Sequence, residues 1–172
     1  MNSLATQIKE KFQDAVYVDS RGQDVFYFAN ENYLDAVTFL KAECEITMCL
    51  DVTAVDFLGC ADRKVIEGVE LERFEVVSSF ISHKRNERIR FIVQLEESDP
   101  SILSISQVFP GANFAEREVF DMFGIKFDGH PDLTRILMPD EWVGHPLRKD
   151  DSPARIPVNF SDDISSAGES FQ

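Results

Sequence analysis

The sequence lacks any long apolar run. No stretch of its 172 residues approaches the roughly 20 consecutive apolar residues that a helix needs to cross a bilayer. Residues 1–11 also lack the basic start and the apolar block of a signal peptide. We therefore predict a cytosolic chain that makes membrane contact only through a partner.

Cysteine and basic residues are both scarce. The three cysteines, Cys44, Cys49 and Cys60, occur without a secretory signal, which predicts reduced, packed thiols rather than disulfide bridges. Lysine and arginine number 17 against 31 acidic residues, and the formal net charge of −14 repels phosphate backbones and anionic lipid surfaces. Nucleic acid is therefore disfavoured as a partner.

Apolar residues make up 44% of the chain and include 15 phenylalanines, enough for one compact domain with a substantial core. Their spacing predicts an α/β fold of the α+β kind, a mostly antiparallel sheet with helices packed on it. Asn30 is expected to cap the second helix, and residues 84–87 to form the turn of an antiparallel hairpin. The predicted helices cover 4–12, 33–40 and 112–123, and the predicted strands 16–18, 25–28, 47–57, 71–83 and 89–95.

Beyond Gly124, which is expected to end the third helix, glycine and proline recur and exclude long regular elements. We predict three regions on this basis. The globular domain covers residues 1–124, an extended arm that docks on a partner covers 125–160, and a flexible acidic tail covers 161–172.

The third predicted helix carries a dense charged cluster. Glu116, Arg117, Glu118 and Asp121 fall within two turns, and Arg117 and Asp121 are four residues apart, so they can pair. An exposed pair contributes only about 0.3–0.5 kcal/mol, so stability alone explains little. The cluster is either a solvated helix face, or a set of groups that contact a partner or hold the following loop.

Two Gly-His-Pro segments follow, at residues 129–131 and 144–146. Zinc requires three or four converging ligands, and no cysteine lies near these histidines. We therefore interpret His130 and His145 as hydrogen-bonded turn residues rather than metal ligands.

Residues 116–125, 129–133, 135–139 and 144–150 together resemble, in order and spacing, the signature of the C-type subunit of the proton-pumping NADH:quinone oxidoreductase, respiratory complex I, a family also called the 30 kDa subunit. Three positions depart from the family pattern. Phe114 stands where Trp is usual, Thr134 where Arg is usual, and Asp151-Ser152 where an aromatic residue and Pro often follow.

The resemblance implies a scaffold subunit of the peripheral arm that holds no catalytic residue and no cofactor. FMN and iron-sulfur clusters would belong to partner subunits, and the chain would lie on the cytoplasmic face of the membrane. Its partners would be the large quinone-site subunit, of the D type, and neighbouring iron-sulfur subunits. The residues independently predict that the chain holds no cofactor. Three thiols without a CxxC pair cannot ligate a cluster, and no Gly-rich turn suits a dinucleotide.

On this interpretation the arm lies along the partner. Trp142, Leu137 and Met138 act as anchors, while Arg135, Arg148 and Lys149 bond the partner's carboxylates or carbonyls. Truncation before Gly129 is then expected to leave a folded body that no longer joins the complex. The expected interface residues are Glu116, Arg117, Glu118, Asp121, Phe123, Gly124, Gly129, His130, Pro131, Arg135, Trp142, Gly144, His145, Pro146, Arg148, Lys149 and Asp150.

Two alternatives remain. The chain could be the homologous subunit of a membrane-bound Ni-Fe hydrogenase, or of a quinone reductase fed by ferredoxin or reduced deazaflavin. It could instead be a stand-alone acid/base enzyme that uses Glu116, Glu118, Asp121 and His130 in a cleft. An enzyme of that kind requires a concave pocket, so carboxylates locked by arginines would argue against it.

Overall fold

Three helices and seven strands form the part of the chain that the computed structural model describes, residues 3–151. The predicted acidic tail, 161–172, and the end of the predicted arm, 152–160, lie outside the described residues. The predicted α+β class is confirmed. In chain order the elements are α1 (Ser3–Lys11), β1 (Val16–Ser20), β2 (Gln23–Phe28), a 3₁₀ turn (Asn30–Asn32), α2 (Tyr33–Glu43), β3 (Met48–Asp56), β4 (Phe74–Ser82), β5 (Glu87–Leu95), β6 (Ser101–Leu103), α3 (Ala112–Phe123) and β7 (Lys126–Asp128).

Five strands form the main sheet in the order β1-β2-β5-β4-β3. The predicted hairpin is confirmed, because β4 pairs antiparallel with β5 in a register that brings Ser82 opposite Glu87. β3 has an irregularity, a register shift between Cys49 and Asp51 in its pairing with β4. Two parallel pairings were not predicted, that of β2 with β5 and that of β6 with β7, which form a separate two-stranded sheet. β2 lies parallel to β5, since the chain between them adds α2, β3 and β4 before it returns.

The Asn30 cap is a wrong prediction. A 3₁₀ turn precedes α2, and no side chain caps that helix at Asn32. The Asn30 amide instead donates to the carbonyl of Ser101, 2.8 Å away, so it joins the start of α2 to β6. A residue type that favours caps was used here for a long-range contact.

One hydrophobic core unites the three helices with one face of the main sheet. It contains Leu4 and Ile8 of α1, Leu40 of α2, and Val119 of α3, all at most 2% exposed. Phenylalanines from the central strands fill its middle, and Phe80 and Phe91 meet with their ring centroids 5.4 Å apart. The phenylalanine-rich composition therefore serves packing.

The cysteines only partly match the prediction. Cys44 and Cys49 are buried free thiols, whereas Cys60 is exposed on the loop between β3 and β4. Burial raises the pKa of Cys44 to about 11 and that of Cys49 to about 12. None of the helices in residues 3–151 combines the length and apolar character needed to span a bilayer.

A strapped helix as the candidate functional site

The segment that follows β7 returns over α3, and we call residues 129–151 the strap. α3 packs against β3, and its inward positions include both apolar residues and two acids, Glu116 and Asp121. Both acids are fully buried, so the alternative of a solvated helix face does not apply to them, while Glu118 is exposed. A buried charge is stable only with compensating donors.

Asp121 receives those donors from the strap. Its Oδ1 accepts from the Arg135 guanidinium at 2.6 Å. Its Oδ2 accepts the backbone N–H groups of Ile136, Leu137 and Met138 at 3.0, 2.8 and 2.9 Å. Burial would raise the pKa of Asp121, but these four donors outweigh it and lower the pKa to about 2. One carboxylate thus fixes a turn of the strap.

The carboxyl end of α3 is also completed by the strap. The last carbonyl groups of a helix have no partner within the helix, and its C-terminus favours positive charge. Gly124 N–H donates to the carbonyl of Phe120 at 2.8 Å. The next three carbonyls accept from His145 Nδ1 on Asp121 at 3.0 Å, from Leu147 N–H on Met122 at 3.0 Å, and from Arg148 Nε on Phe123.

Gly124 permits this close approach. It ends α3 as predicted, with a left-handed φ of 71°. A Cβ added at Gly124 would lie 2.5 Å from Nε2 of His145 and 2.8 Å from an Arg148 nitrogen, so a larger residue would force these side chains to shift. Gly129, with a φ of 81°, has no atom within 4 Å of such a Cβ.

Arg135 and Arg117 order the strap from two sides. Besides Asp121, Arg135 donates to the carbonyls of Trp142 and Gly144, at 3.1 and 3.0 Å. Arg117 donates to the carbonyl and hydroxyl of Thr134, both at 3.0 Å, and to the carbonyl of Arg135. The predicted pair between Arg117 and Asp121 does not form, because Asp121 pairs with Arg135 while Arg117 donates to the strap at Thr134 and to the carbonyl of Arg135.

Two of the residues that depart from the family pattern have hydrogen-bond partners within the chain. Thr134, where the family usually has Arg, accepts from Arg117 through its hydroxyl. Asp151 accepts the backbone N–H of His145 and lies where a Cβ of Gly144 would stand. Phe114 is 63% exposed, with the Arg117 guanidinium 5.9 Å from its ring centroid.

The far end of the strap is held by a second cluster, the Arg73 cluster, at the adjoining ends of β3 and β4. Arg73 donates to Asp56, Glu97 and Asp150. Lys149 N–H donates to Asp56 at 2.8 Å. Burial would raise the pKa of Asp56, but Arg73 and the backbone donors lower it to about 2, and the carboxylates raise that of Arg73.

Sequence reasoning did not find the Arg73 cluster. Asp56 and Arg73 are separated by the loop between β3 and β4, and 77 residues separate Arg73 from Asp150. No local spacing connects them. The only available signal was the presence of charged residues at the ends of predicted strands.

The two histidines are hydrogen-bonded turn residues, as expected. His145 donates to α3, and His130 accepts the N–H of Asp132 on Nδ1, so in the neutral ring its Nε2 donates to the carbonyl of Asn113 at 3.1 Å. Within residues 3–151, no three His, Cys, Asp or Glu side chains are grouped to hold a metal ion.

The four groups considered for acid/base chemistry do not share a cleft. Glu116 and Asp121 are fully buried, and Asp121 is locked by Arg135. Glu118 borders a shallow groove between α3 and β3, which is also lined by Met122 and Leu147. The pairing of Asp121 with Arg135 is the feature that argues against a stand-alone acid/base enzyme.

The strap also exposes several large apolar side chains. Its exposed large apolar side chains, with the exposed fraction of each, are Ile136 (37%), Leu137 (60%), Val143 (91%) and Leu147 (51%). Of the expected anchors, Leu137 is thus exposed, while Met138 packs on the core. Arg135 and Arg148, which were expected to bond a partner's groups, bond α3 instead.

Fold and site together define an α+β protein in which one helix is strapped by the segment that follows it. The family described as respiratory-chain NADH dehydrogenase, 30 Kd subunit, matches residues 26–155, more than half of the chain. The chain belongs to this family, which confirms the resemblance found in residues 116–150.

Individual relatives support the same family. The C-type subunit of NADH-quinone oxidoreductase from Geobacter sulfurreducens is 40% identical over 151 residues, covering 87% of this chain and 88% of that protein. Its counterpart from Trichlorobacter lovleyi is 40% identical over 161 residues, covering 91% and 94%. The C/D-type subunit from Methylococcus capsulatus is 42% identical over 137 residues, covering 76% of this chain and 23% of that protein.

Two solved structures share the fold. A trypsin-resistant fragment of Nqo5, residues 1–134, superimposes with a TM-score of 0.66 at 28% identity, over 76% of this chain and 99% of that one. A chain of the archaeal membrane-bound sulfane sulfur reductase, a respiratory membrane complex, also gives 0.66. At 22% identity, over 87% of this chain and 84% of that one, it shows the fold alone.

Proposed function

We propose that this chain is a non-catalytic scaffold subunit of the peripheral arm of a proton-pumping NADH:quinone oxidoreductase, and that it docks on the large quinone-site subunit through the strap. The observation that carries the proposal is the two-sided character of the strap. Its polar groups bond α3 and the Arg73 cluster, whereas the apolar side chains of Ile136, Leu137, Val143 and Leu147 are exposed.

Such a surface is suited to docking. Exposed apolar side chains gain by burial at an interface, and burying a Leu or Val contributes about 1.5–3 kcal/mol. The strap is already ordered by its hydrogen bonds to Asp121, so association loses little additional conformational entropy. Both properties favour association of the strap with a partner.

The large subunit as partner is supported by the Methylococcus capsulatus relative, whose name joins C and D in one protein. Fusion of two partners keeps their domains at high local concentration. The same assembly would bring this chain to the cytoplasmic face of the membrane and beside the iron-sulfur subunits.

Electron transfer is assigned to the partners. Cluster ligation calls for about four closely grouped thiolates. The sequence has three cysteines, Cys44, Cys49 and Cys60, without a CxxC pair. FMN and the clusters would therefore lie in neighbouring subunits.

Substitution of the outer strap tests the proposal. Leu137→Asp combined with Val143→Asp should reduce co-purification of the large subunit by about tenfold or more, because charges would replace apolar contacts. Val65→Asp is the matched control, since Val65 is 76% exposed but lies on the loop between β3 and β4. Undiminished recovery with the folded double variant would exclude the strap as the docking surface.

The fold alone does not separate this assignment from the hydrogenase alternative, because a chain of an archaeal sulfane sulfur reductase also has this fold. The bacterial relatives at about 40% identity are NADH-quinone oxidoreductase subunits, which favours the first assignment. Mass spectrometry of a mild-detergent pull-down distinguishes the two. NADH- and flavin-binding companions would support the assignment, and Ni-Fe hydrogenase subunits would overturn it.

A further inference from the structure

The main sheet has a second face, turned away from the helices. Along β5, Ile89 and Phe91 belong to the core on the helix side. Arg88 and Arg90 alternate with them, so their side chains leave the sheet on the opposite side. Ile92, which is buried but outside the core cluster, lies on that side as well. The second face is therefore a surface separate from the core.

Part of the second face is covered by the loop between β3 and β4. Arg63 of that loop donates to Glu75 of β4 and to Gln94 of β5, both at 2.7 Å, far from the turn of the β4–β5 hairpin. Nearer that turn, Arg88 is exposed and Arg90 is partly buried. The turn end of the second face is therefore open.

Most arginines of this acidic chain bond its own carboxylates and carbonyls. Those with such bonds are Arg63, Arg73, Arg85, Arg117, Arg135 and Arg148. Within residues 3–151, the other arginines, Arg21, Arg88 and Arg90, have neither a hydrogen bond nor an ion pair. With 31 acidic side chains against 17 basic ones, an arginine without a carboxylate is the exception here.

The unpaired arginines surround one point of the structure, the turn between β1 and β2. Arg21 lies in that turn, and together with Arg90 it lines an open groove. Arg88 lines a depression beside the groove, and both include Gly22. Asp19, the acid of the turn, accepts the N–H of Gly22 at 2.8 Å instead of pairing with an arginine. We call Arg21, Arg88 and Arg90 the arginine patch.

Other acids of these strands are kept away from the arginine patch. Asp24 and Glu87 alternate with the outward positions of β2 and β5, so they lie on the helix side. Asp51 lies on the second face, but Ser79 stands between it and Arg90 in the register of the sheet. Positive charge therefore dominates the patch.

Arg90 is the least exposed member of the patch, and this chain does not satisfy its donors. Its Nε is enclosed without an acceptor, which is rare for a buried polar group. The guanidinium stays charged and carries five donors in a planar fork that matches a carboxylate. Because its stem is partly buried on the sheet, the side chain loses little conformational freedom when an anion binds.

We propose that the arginine patch is a docking site for an acidic segment of a partner protein. Arg88 and Arg90 are two positions apart on one strand, so their Cα atoms are separated by roughly 6.6 Å. An extended segment with Asp or Glu at alternate positions has the same spacing, and each carboxylate can form a charge-assisted hydrogen bond with one arginine. Arg21 adds charge at the edge of the contact.

This surface is distinct from the strap. The patch lies at the start of β5, whereas the strap is fastened beyond its other end, where Arg73 binds Glu97 and Asp150. The nine residues of β5 place the two surfaces roughly 25 Å apart. The chain can therefore contact one neighbour through the strap and another through the patch.

A short acidic segment fits the charge of the chain better than a membrane or a nucleic acid does. An extended anionic surface meets the whole field of a chain with a formal net charge of −14 and is repelled. A segment of a few residues meets mainly the local charge of the patch.

Titration of the whole chain with a synthetic peptide of alternating aspartate and serine tests the patch. The NMR signal of the Arg90 Nε–H group should shift, and Arg88→Glu should weaken binding by about tenfold, because repulsion replaces attraction. Lys64→Glu is the matched control, since it makes the same charge change at an exposed residue of the β3–β4 loop and should leave binding unchanged. No shift at Arg90, equal binding of a peptide with asparagine for aspartate, or equal losses in the two variants would overturn the proposal.

Zero-length cross-linking of the assembled complex identifies the partner. Carbodiimide joins carboxylates to primary amines and not to guanidinium groups, so Arg88→Lys introduces a reactive amine into the patch without changing its charge. Mass spectrometry should find position 88 joined to an Asp or Glu of another subunit. Links to this chain alone would overturn the proposal, as would binding of the isolated chain to phosphatidylglycerol vesicles that Arg88→Glu abolishes. The peptide titration needs no partner, so its outcome is independent of whether the strap docks on the large subunit.

Discussion

Two buried carboxylates, those of Asp121 and Asp56, are stabilised by donors from the same chain. Asp121 and Asp56 are each at most 5% exposed, and each accepts backbone N–H groups and one arginine. Groups of this kind stabilise the fold only while they are charged, because protonation removes both the ion pair and much of the hydrogen bonding. The strap is therefore acid-sensitive at two points.

The first prediction concerns the acid stability of Asp121. Its folded pKa of about 2 lies below the unfolded value of about 3.9, so its contribution is present above about pH 4 and is lost as pH falls toward 2. Asp121→Asn should lower the free energy of unfolding at pH 7 by about 2.5 kcal/mol, and the gap from wild type should close in acid. Urea titrations of both proteins between pH 7 and pH 2 measure this difference in the free energy of unfolding. A gap independent of pH would contradict the assignment.

The second prediction concerns two glycines with positive φ. Gly124→Ala should destabilise by about 3 kcal/mol, because it adds a steric contact with His145 to the left-handed conformation. Gly129→Ala should cost only about 1 kcal/mol, since its surroundings are open. Chemical unfolding of both variants checks the difference. Equal costs would mean that the strap does not approach Gly124 closely.

At the scale of elements, α3 depends on contacts that the helix cannot supply. Its final carbonyls are satisfied by His145, Leu147 and Arg148 of the strap. The strap depends in turn on the sheet, where Arg73 and Asp56 bind residues 149–150. Helix, strap and strand ends should therefore unfold together rather than one by one.

The third prediction compares a buried ion cluster with an exposed pair. Arg73→Met should cost about 3–5 kcal/mol, because it leaves Asp56 buried without its guanidinium. Lys84→Met is the control, since Lys84 and Glu45 are 73% and 41% exposed, and it should cost less than about 1 kcal/mol. Thermal unfolding distinguishes them. Similar costs would place the Arg73 cluster outside the cooperative core.

At the scale of the whole molecule, attachment and stability share one segment. The inner side of the strap completes the fold, and we propose that its outer side docks on the large subunit. Removal of the segment therefore cannot separate the two roles, whereas substitutions at Leu137 and Val143 can. From the sequence, truncation before Gly129 was expected to leave a folded body. The contacts of the strap indicate instead that the truncated chain loses stability.

The fourth prediction follows from that change. A chain cut before Gly129 loses Arg135 and the three backbone donors to Asp121, so it should be less stable than the full chain by about 3 kcal/mol or more. Asp121→Asn should recover part of this loss in the truncated chain, although it destabilises the full chain. Calorimetry of the full and the truncated chain, each with and without Asp121→Asn, measures these differences in stability. Full stability of the cut chain would show that the strap contributes nothing to the fold.

The sequence by itself determined much of the framework. Apolar periodicity predicted the helices, the β4–β5 hairpin and the stop at Gly124, because these depend on residues within a few positions of each other. Ordered motifs in residues 116–150 indicated the family. Only the tertiary structure decided that β2 lies parallel to β5, that Arg73 meets Asp150, and that Asp121 pairs with Arg135 rather than Arg117. These contacts join residues far apart in the chain, and burial, which local spacing does not report, determines which partner each charge finds.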